Sequence, residues 1–179
     1  EDLVNGSEFM KIARQITSNA AHPKPIIALK AGRTLLGAKA ASSHTGSLAG
    51  SDRVYDAIFT QCGVLRVDTL EQLFDYVKAF SSQPLPRGEN VAIITNSGGP
   101  GILATDSCIG HGLNIAPFSP TAVKALKKIL PPTASLNNPI DLIAHAQHEE
   151  YGAALQAMLK DKNVHSVIVI LTPTAFTNV

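Results

Sequence analysis

The chain contains little of what marks several large classes of protein. Of its 179 residues only 16% are charged and 5% aromatic, with no tryptophan and a formal net charge of +1. Nucleic-acid surfaces need clustered cations and stacking aromatics, so this composition argues against one. The longest apolar run, Val167–Leu171, is too short to span a membrane and suits a buried strand. The two cysteines, Cys62 and Cys108, form no spaced metal motif, so we predict no metal site and expect a reducing cytoplasm.

What the chain does contain is a core-forming fraction of 45% hydrophobic residues, arranged in short alternating segments. Helical spacing alternates with short apolar runs along the whole chain, which predicts an α/β fold with parallel sheets wrapped by helices. The predicted helices are 6–18, 52–62, 70–79, 102–110, 120–129 and 149–160, and the predicted strands are 25–30, 64–67, 91–95, 113–116 and 164–171.

Capping residues and apolar stripes refine these helices. We expect caps from Asn5 or Ser7, from Thr69 and from Ser119. Apolar residues at helical spacing are expected to face the core. They include Ile12, Ile16, Val54, Leu70, Phe74, Val77, Tyr151 and Leu159.

A linker divides the chain. Residues 81–90, SSQPLPRGEN, are polar and hold two prolines and a glycine, which is typical of a domain boundary. We therefore predict two units, 1–83 and 91–179, joined by 84–90. Because there is no initiator methionine and a helix is predicted almost at once, we expect the chain to be a fragment of a longer polypeptide.

One histidine lies in an unusual setting. Ser42–Gly50, SSHTGSLAG, surrounds His44 with small and hydroxylated residues, and no bulky apolar residue occurs between Gly37 and Ser47. Such a stretch predicts a mobile loop. Imidazole titrates near neutral pH and serves as a base, a metal ligand or a nucleophile, although most loop histidines have no specific role.

A glycine-rich turn follows the strand at 91–95. In NSGGPG, 96–101, glycine permits close approach of a ligand, and Pro100 suits a first helical turn. A strand, a glycine turn and a helix in this order direct backbone N–H groups towards an anion. The alternative is a tight turn that needs glycine only for its geometry. We predict a phosphate site formed by Asn96, Ser97, Gly98, Gly99 and Gly101.

The remaining candidates are charged residues near His44. Lys30, Arg33 and Lys39 either create a positive field along a phosphate path or are solvated surface charges. Asp52 is a candidate cap for the helix that follows, and we assign it no catalytic role.

The other histidines receive weaker assignments. We expect His111 to cap the end of a helix, and His22 and His165 to lie on the surface. His145 and His148 are three residues apart, as in some metal sites, but no third ligand is evident and we favour solvated loop histidines.

Together, a mobile histidine and an anion-binding helix start indicate a histidine that carries a phosphoryl group. The motifs ASSHTGSLAGSD (41–52), TNSGGPGILATD (95–106) and NPIDL (138–142) occur in this order, along with KPIIALKAGR and VDTLEQLFD. With these motifs the chain resembles the NDP-forming acyl-CoA synthetases, the superfamily of the ADP-forming acetate–CoA ligases and succinyl-CoA synthetase. The resemblance covers essentially the whole chain.

The resemblance implies an acid–thiol ligase that interconverts acyl-CoA, phosphate and ADP with a carboxylic acid, CoA and ATP. His44 would carry the phosphoryl group, and Glu1 would hydrogen-bond its ring. The turn 98–101 would belong to one of the family's paired helices whose positive ends hold the phosphohistidine. No role is assigned to NPIDL. Residues that would support the His44 loop are Ser43, Thr45 and Gly46.

The resemblance also implies what lies outside the chain. Residues 1–83 would be the C-terminal part of a phosphohistidine-bearing flavodoxin-like domain, and 91–179 the N-terminal part of a second, both incomplete. CoA-binding and ATP-grasp domains would be partners, so this chain would bind no cofactor and be inactive alone, while the whole enzyme uses CoA, ATP or ADP and Mg²⁺. An oligomer is expected, and neither nucleic acid nor membrane is an expected partner.

Two other functions remain open at this point. Some relatives are fused to acetyltransferases and act as regulatory acyl-CoA sensors, which need not keep the histidine. The third possibility is a simple phosphate-binding flavodoxin-like module, which would bind anions at 98–101 without covalent phosphate on His44.

Overall fold

The computed structural model describes residues 3–45 and 51–175, with the backbone alone at His44 and Thr45. The described chain is α/β with parallel strand pairs, as predicted. It divides into unit 1, up to Leu85, and unit 2, from Pro86. The elements are α1 (Gly6–Thr17), β1 (Ile26–Leu29), α2 (Leu35–Thr45), α3 (Asp52–Gln61), β2 (Val64–Val67), α4 (Leu70–Ser82), β3 (Asn90–Thr95), α5 (Gly98–Gly110), β4 (Asn114–Ile115), α6 (Pro120–Ile129), β5 (Ile140–Asp141), α7 (His148–Lys160) and β6 (Ser166–Ile170).

Unit 1 contains a two-stranded parallel sheet in which Ile26 of β1 faces Val64 of β2. Its core lies between α1, α3 and this sheet, and the Phe9 and Phe59 rings meet edge to face at 6.0 Å. The prediction that Val54 faces inward is wrong, since Val54 is half exposed and its neighbour Tyr55 is buried. The buried members of this core are Ala13, Tyr55, Phe59, Cys62 and Val64.

The apolar stripe of α4 is exposed, contrary to the prediction. Leu70, Phe74 and Val77 share one side of the helix at helical spacing, yet all three are exposed. Periodicity identifies which side of a helix is apolar, but another element must cover that side before it is buried. No described element covers this stripe. Ile12 and Ile16 of α1 and Leu159 of α7, also predicted to face inward, are exposed as well.

The predicted loop around His44 is a helix as far as Thr45. Lack of bulky apolar residues excludes a large core contribution, but alanine is the best helix former, and α2 contains three. The Gly37 N–H donates to the Thr34 hydroxyl (3.1 Å), which caps the first turn. The prediction of a loop is therefore wrong as far as Thr45. The helix forms with little burial, since Leu35 and Leu36 at its start are 92% and 82% exposed. Residues 46–50 lie outside the described residues.

Unit 2 is built around β3. β6 pairs with β3 along 91–95, while β4 pairs with its first residues and β5 with its last. The helices α6 and α7 pack on this sheet through Leu126, Ala154 and Met158, which are fully buried. The bounds of α6 and β2 match the sequence predictions, and Asn5, Thr69 and Ser119 accept the predicted capping hydrogen bonds.

The Asn138 side chain fills the gap that β4 and β5 leave along β3. Its Oδ1 accepts a hydrogen bond from the Ile93 N–H (2.9 Å). Its Nδ2 donates to the carbonyls of Val91 (2.8 Å) and Ala116 (3.1 Å). One residue of NPIDL thus completes the hydrogen bonding of the central strand. Within the described ranges, no helix is both long and apolar enough to cross a membrane.

Candidate functional site

The glycine-rich turn is itself the first turn of a helix. α5 begins at Gly98, not at Ile102 as predicted, with Ser97 as its N-cap residue. The Gly101 N–H donates to the Ser97 carbonyl (3.3 Å). The N–H groups of Gly98 and Gly99 precede that bond and have no acceptor within the helix, so they can donate to an anion.

The three glycines of this turn differ in what a side chain would meet. A Cβ atom on Gly101 would lie 3.0 Å from Thr95 Cγ2 and 3.5 Å from Pro139. Packing therefore favours glycine there. A Cβ on Gly98 would lie 3.6 Å from the Asp141 carboxylate, and one on Gly99 would meet nothing within 4 Å. Gly99 leaves an open approach to the helix start.

Asn96 and Ser97, two residues of the predicted phosphate site, make hydrogen bonds within the protein. The Asn96 side chain is 2% exposed, accepts a hydrogen bond from the Thr172 N–H (2.9 Å) and donates to the Thr172 carbonyl (2.8 Å). The Ser97 N–H donates to the Thr95 hydroxyl (3.0 Å). The Asn96 amide and the Ser97 N–H thus shape the turn, whereas the Ser97 hydroxyl makes no capping hydrogen bond. That these two residues contact phosphate stays a prediction, beside the N–H groups of Gly98 and Gly99 at the helix start.

Asp141 and Tyr151 lie at the same edge of the unit 2 sheet. The Asp141 carboxylate accepts from the Ile143 N–H (2.9 Å), and the Tyr151 hydroxyl donates to the Ile170 carbonyl (3.0 Å). Burial, together with the Asp141 charge, raises the pKa of Tyr151, so the phenol stays protonated at neutral pH. The sequence predicted Tyr151 only as a core residue. Its neighbour Asp141 lies on β5, a strand of two residues that is too short to give a periodic signal, so the proximity of the two side chains could not be predicted.

His44 is the second-last residue of α2. A helix end presents carbonyl oxygens, so α2 itself supplies acceptors to this position and no N–H donors. Of the predicted supporting residues, Ser43 donates its hydroxyl to the Lys39 carbonyl of the same helix (2.9 Å). Gly46, another predicted supporter, and Glu1, the predicted partner of the His44 ring, lie outside the described residues, and Thr45, the third supporter, is described by its backbone alone.

Two of the three candidate cations, Lys30 and Arg33, make contacts within the protein. Lys30 is 6% exposed, donates to the Ala31 carbonyl (2.6 Å) and lies 4.3 Å from the centre of the Tyr55 ring. It is therefore not the solvated charge that one alternative envisaged. Arg33 pairs with Asp52 and Asp68, whereas Lys39 is exposed.

Asp52 is not the cap of α3, because Ser51 precedes it as the N-cap residue. Its carboxylate instead binds the guanidinium of Arg66 on β2 (2.5 Å) and that of Arg33 (3.4 Å). The hydrogen bond from Arg66 holds the pKa of Asp52 below its ordinary value, and the charge of Arg33 adds to this effect.

The remaining histidines have structural contacts or are exposed. His111 ends α5, and its ring Nδ1 lies 2.8 Å from the Ser107 carbonyl, which confirms the predicted cap. His165 is not a surface residue as predicted: it is half-buried, and its Nδ1 accepts from the Asn90 N–H (3.2 Å). His148 is exposed beside Glu149. No group of three His, Cys, Asp or Glu residues in the described chain is placed to hold a metal ion.

Two family models match the chain in succession. The succinyl-CoA ligase like flavodoxin domain matches residues 1–80, and the Ligase-CoA domain matches residues 91–178.

Curated proteins match along almost the whole chain. A 4-hydroxybutyrate–CoA ligase (ADP-forming) of Nitrosopumilus maritimus is 43% identical over 99% of this chain and 25% of its own length. The alpha subunit of acetate–CoA ligase (ADP-forming) II of Pyrococcus furiosus is 42% identical over 98% of this chain and 37% of its own length. The chain thus spans between a quarter and two fifths of these two relatives.

A solved structure matches equally far. The Ca. Korarchaeum cryptofilum dinucleotide forming acetyl-coenzyme A synthetase 1, in complex with phosphate and ADP, aligns with a TM-score of 0.88 and 37% identity. The alignment covers 99% of this chain and 38% of that chain. With both family models and these relatives agreeing along its length, the chain belongs to the NDP-forming acyl-CoA synthetases, the superfamily of the ADP-forming acetate–CoA ligases and succinyl-CoA synthetase.

Proposed function

We propose that this chain is the phosphoryl-transfer part of an ADP-forming acyl-CoA ligase. The observation that carries the proposal is His44 in an intact SHTGSLAG motif. The chain around it aligns over 98–99% of its length with proteins named as ADP-forming CoA ligases. A regulatory acyl-CoA sensor would not need this histidine, so its presence favours catalysis.

His44 is the proposed carrier. A lone pair on one ring nitrogen attacks the phosphorus of an acyl phosphate, the bond from phosphorus to the acyl oxygen breaks, and the carboxylate leaves. In the second step an oxygen of the ADP β-phosphate attacks the same phosphorus, and the nitrogen–phosphorus bond breaks to give ATP. The other ring nitrogen keeps its proton throughout, and we propose that the Glu1 carboxylate accepts a hydrogen bond from it.

A dianionic phosphoryl group needs donors that the carboxyl end of α2 does not supply. We assign this role to the first turn of α5, where the N–H groups of Gly98 and Gly99 have no acceptor in the helix. The Asp141 carboxylate lies beside Gly98 and opposes tight anion binding. The site should therefore bind phosphoryl groups weakly and release them readily.

The rest of the reaction is assigned to parts beyond this chain. CoA, the nucleotide and Mg²⁺ would be bound by CoA-binding and ATP-grasp domains, in the same polypeptide or in a second subunit, within a cytoplasmic enzyme. On this proposal, the 179-residue chain has no turnover by itself.

The test uses the chain together with those domains. The assay follows ATP formed from acetyl-CoA, phosphate and ADP. His44→Ala should lower the rate by at least about a thousandfold, since the nucleophile is lost. His111→Ala, a histidine at the end of α5, is the matched control and should retain activity. A His44→Ala enzyme as active as the wild type would overturn the proposal.

A further inference from the structure

The segment that carries His44 is tied down at its base by an ion-pair network. Arg33 lies just before α2, and Asp52 is the first residue of α3. Their side chains pair at 3.4 Å, so the two ends of segment 34–51 are joined to each other. Arg33 also pairs with Asp68, which directly follows β2, and Asp52 pairs with Arg66 within β2.

The pair of Arg66 with Asp52 is partly buried, which sets it apart from a surface ion pair. The Arg66 side chain is only 9% exposed and that of Asp52 is 22% exposed. Charges removed from water attract each other more strongly, and loss of one partner leaves the other poorly solvated. The more exposed Arg33 joins a carboxylate that Arg66 already holds in place.

The described side chains of α2 are mostly exposed. Its first residues, Leu35 and Leu36, are exposed, and Ala41 is the buried side chain described within it. Gly32, just before the helix, lies close to Ala38 and Ala41. Since α2 buries so little apolar surface, its placement depends on the residues that flank it.

We propose that Arg33 and Asp52 are positioning residues that hold α2, which carries His44, at the carboxyl end of β1 and β2, and that this contact sets the rate of phosphoryl transfer at His44. The inference rests on the proposed role of His44 in its catalytic consequence, though not in its structural one. Neither residue touches the transferred group. Both act by limiting the positions that α2 adopts.

The structural test is hydrogen exchange on the 179-residue chain, read over residues 35–45. Asp52→Asn should speed exchange of α2 by roughly three- to tenfold, because coupled network partners lose their shared interaction. The matched control is Asp56→Asn. Asp56 lies one turn further along α3 and binds the same Arg66 guanidinium, while Arg33 pairs with Asp52 and Asp68. This control should change α2 exchange by less than about twofold.

Two further variants separate the contact from general loosening. Asp52→Glu keeps the charge and should restore most of the protection of α2. In an Arg33→Gln background, Asp52→Asn should add little further exchange in α2, since the pair is already broken. Exchange in β3 of unit 2 should stay unchanged and serves as the internal standard. Equal α2 exchange in Asp52→Asn and Asp56→Asn would overturn the structural proposal.

The catalytic test uses the complete enzyme. Asp52→Asn should lower kcat by roughly three- to tenfold with KM for acetyl-CoA and ADP unchanged, because substrate contacts are intact. Asp56→Asn should match the wild type, and Asp52→Glu should recover most of the rate. Faster α2 exchange with an unchanged kcat would overturn the link to phosphoryl transfer. If the wild type never carries phosphate on His44, the proposed function fails, while hydrogen exchange still decides whether Arg33 and Asp52 hold α2.

Discussion

The elements that carry the candidate residues are packed very differently in the two units. In unit 2, the residues of β3 from Val91 to Ile94 are almost completely buried, and α5 starts directly from that strand. In unit 1, a two-stranded sheet leaves Leu29 and Leu65 partly exposed, and α2 carries His44 with little burial. Apolar packing fixes α5, the proposed anion-binding helix, whereas we propose that ion pairs position α2, which carries His44.

This contrast suits the two proposed roles. A group that accepts a phosphoryl unit from one substrate and delivers it to another benefits from a lightly packed support with low local stability. Amides that stabilise an anion are more effective when they are already in place and need no rearrangement. The difference in packing therefore predicts that mutations in the two units change different properties.

The largest expected effect comes from a pair of leucine truncations. Leu126→Ala in unit 2 removes a fully buried side chain and should lower the free energy of unfolding of that unit by about 2–5 kcal/mol. Leu70→Ala in α4 removes a side chain that is 61% exposed and should cost less than about 0.5 kcal/mol. Peptide-resolved hydrogen exchange in denaturant measures the two units separately. A similar loss of unfolding free energy in Leu126→Ala and Leu70→Ala would contradict the proposed difference in packing between the two units.

A pair of glycine substitutions should sharpen the assignment of the anion site. Gly101→Ala places a methyl group 3.0 Å from Thr95 Cγ2 and should destabilise unit 2 by about 1–3 kcal/mol. Gly99→Ala meets open space and should change stability by less than about 1 kcal/mol, because alanine favours the helix. Its methyl group should nevertheless weaken phosphate binding, measured by titration with inorganic phosphate. Unaltered phosphate binding in Gly99→Ala would contradict the site.

The smallest expected effect is a pH dependence confined to unit 1. The pKa of Asp52 is lowered in the folded state, mainly by its hydrogen bond from Arg66. The resulting stabilisation is present above the unfolded pKa of about 4 and is lost as pH falls through the lower folded value. Asp52→Asn should flatten this acid dependence of α3 and β2 in hydrogen exchange. A wild-type unit 1 that keeps its full stability well below pH 4 would argue against the ion pair.

The sequence predicted an element correctly where capping residues, prolines or glycines mark its ends and its apolar residues are buried. The bounds of α6 were predictable because Ser119 and Pro120 start the helix and Pro131 follows its end. β2 was predictable because Gly63, with φ of +65°, separates a short apolar run from α3. Such local signals act over a few residues and do not depend on what packs against the element.

Prediction from the sequence failed where the environment of a residue is set by residues far away in the chain. The local sequence shows that α4 has an apolar stripe, but it does not show whether another element covers that stripe. In the same way, the small residues around His44 do not show whether the segment is a helix or a loop. The hydrogen bonds of Asn138 to Val91 and Ala116 join residues far apart in the chain. The partners of His165 and Asn96 are further away still in the sequence. The assignment of His44 itself stays a prediction, because it rests on motif resemblance.

The most direct test of the central claim is to locate the phosphate. The complete enzyme is incubated with labelled ATP and Mg²⁺ or with acetyl phosphate, digested under alkaline conditions, and mapped by mass spectrometry for acid-labile phosphate. We predict phosphate on the peptide that contains His44, its loss in His44→Ala and its retention in His111→Ala. An enzyme that turns over without phosphate on His44, or one that keeps its label in His44→Ala, would contradict the account.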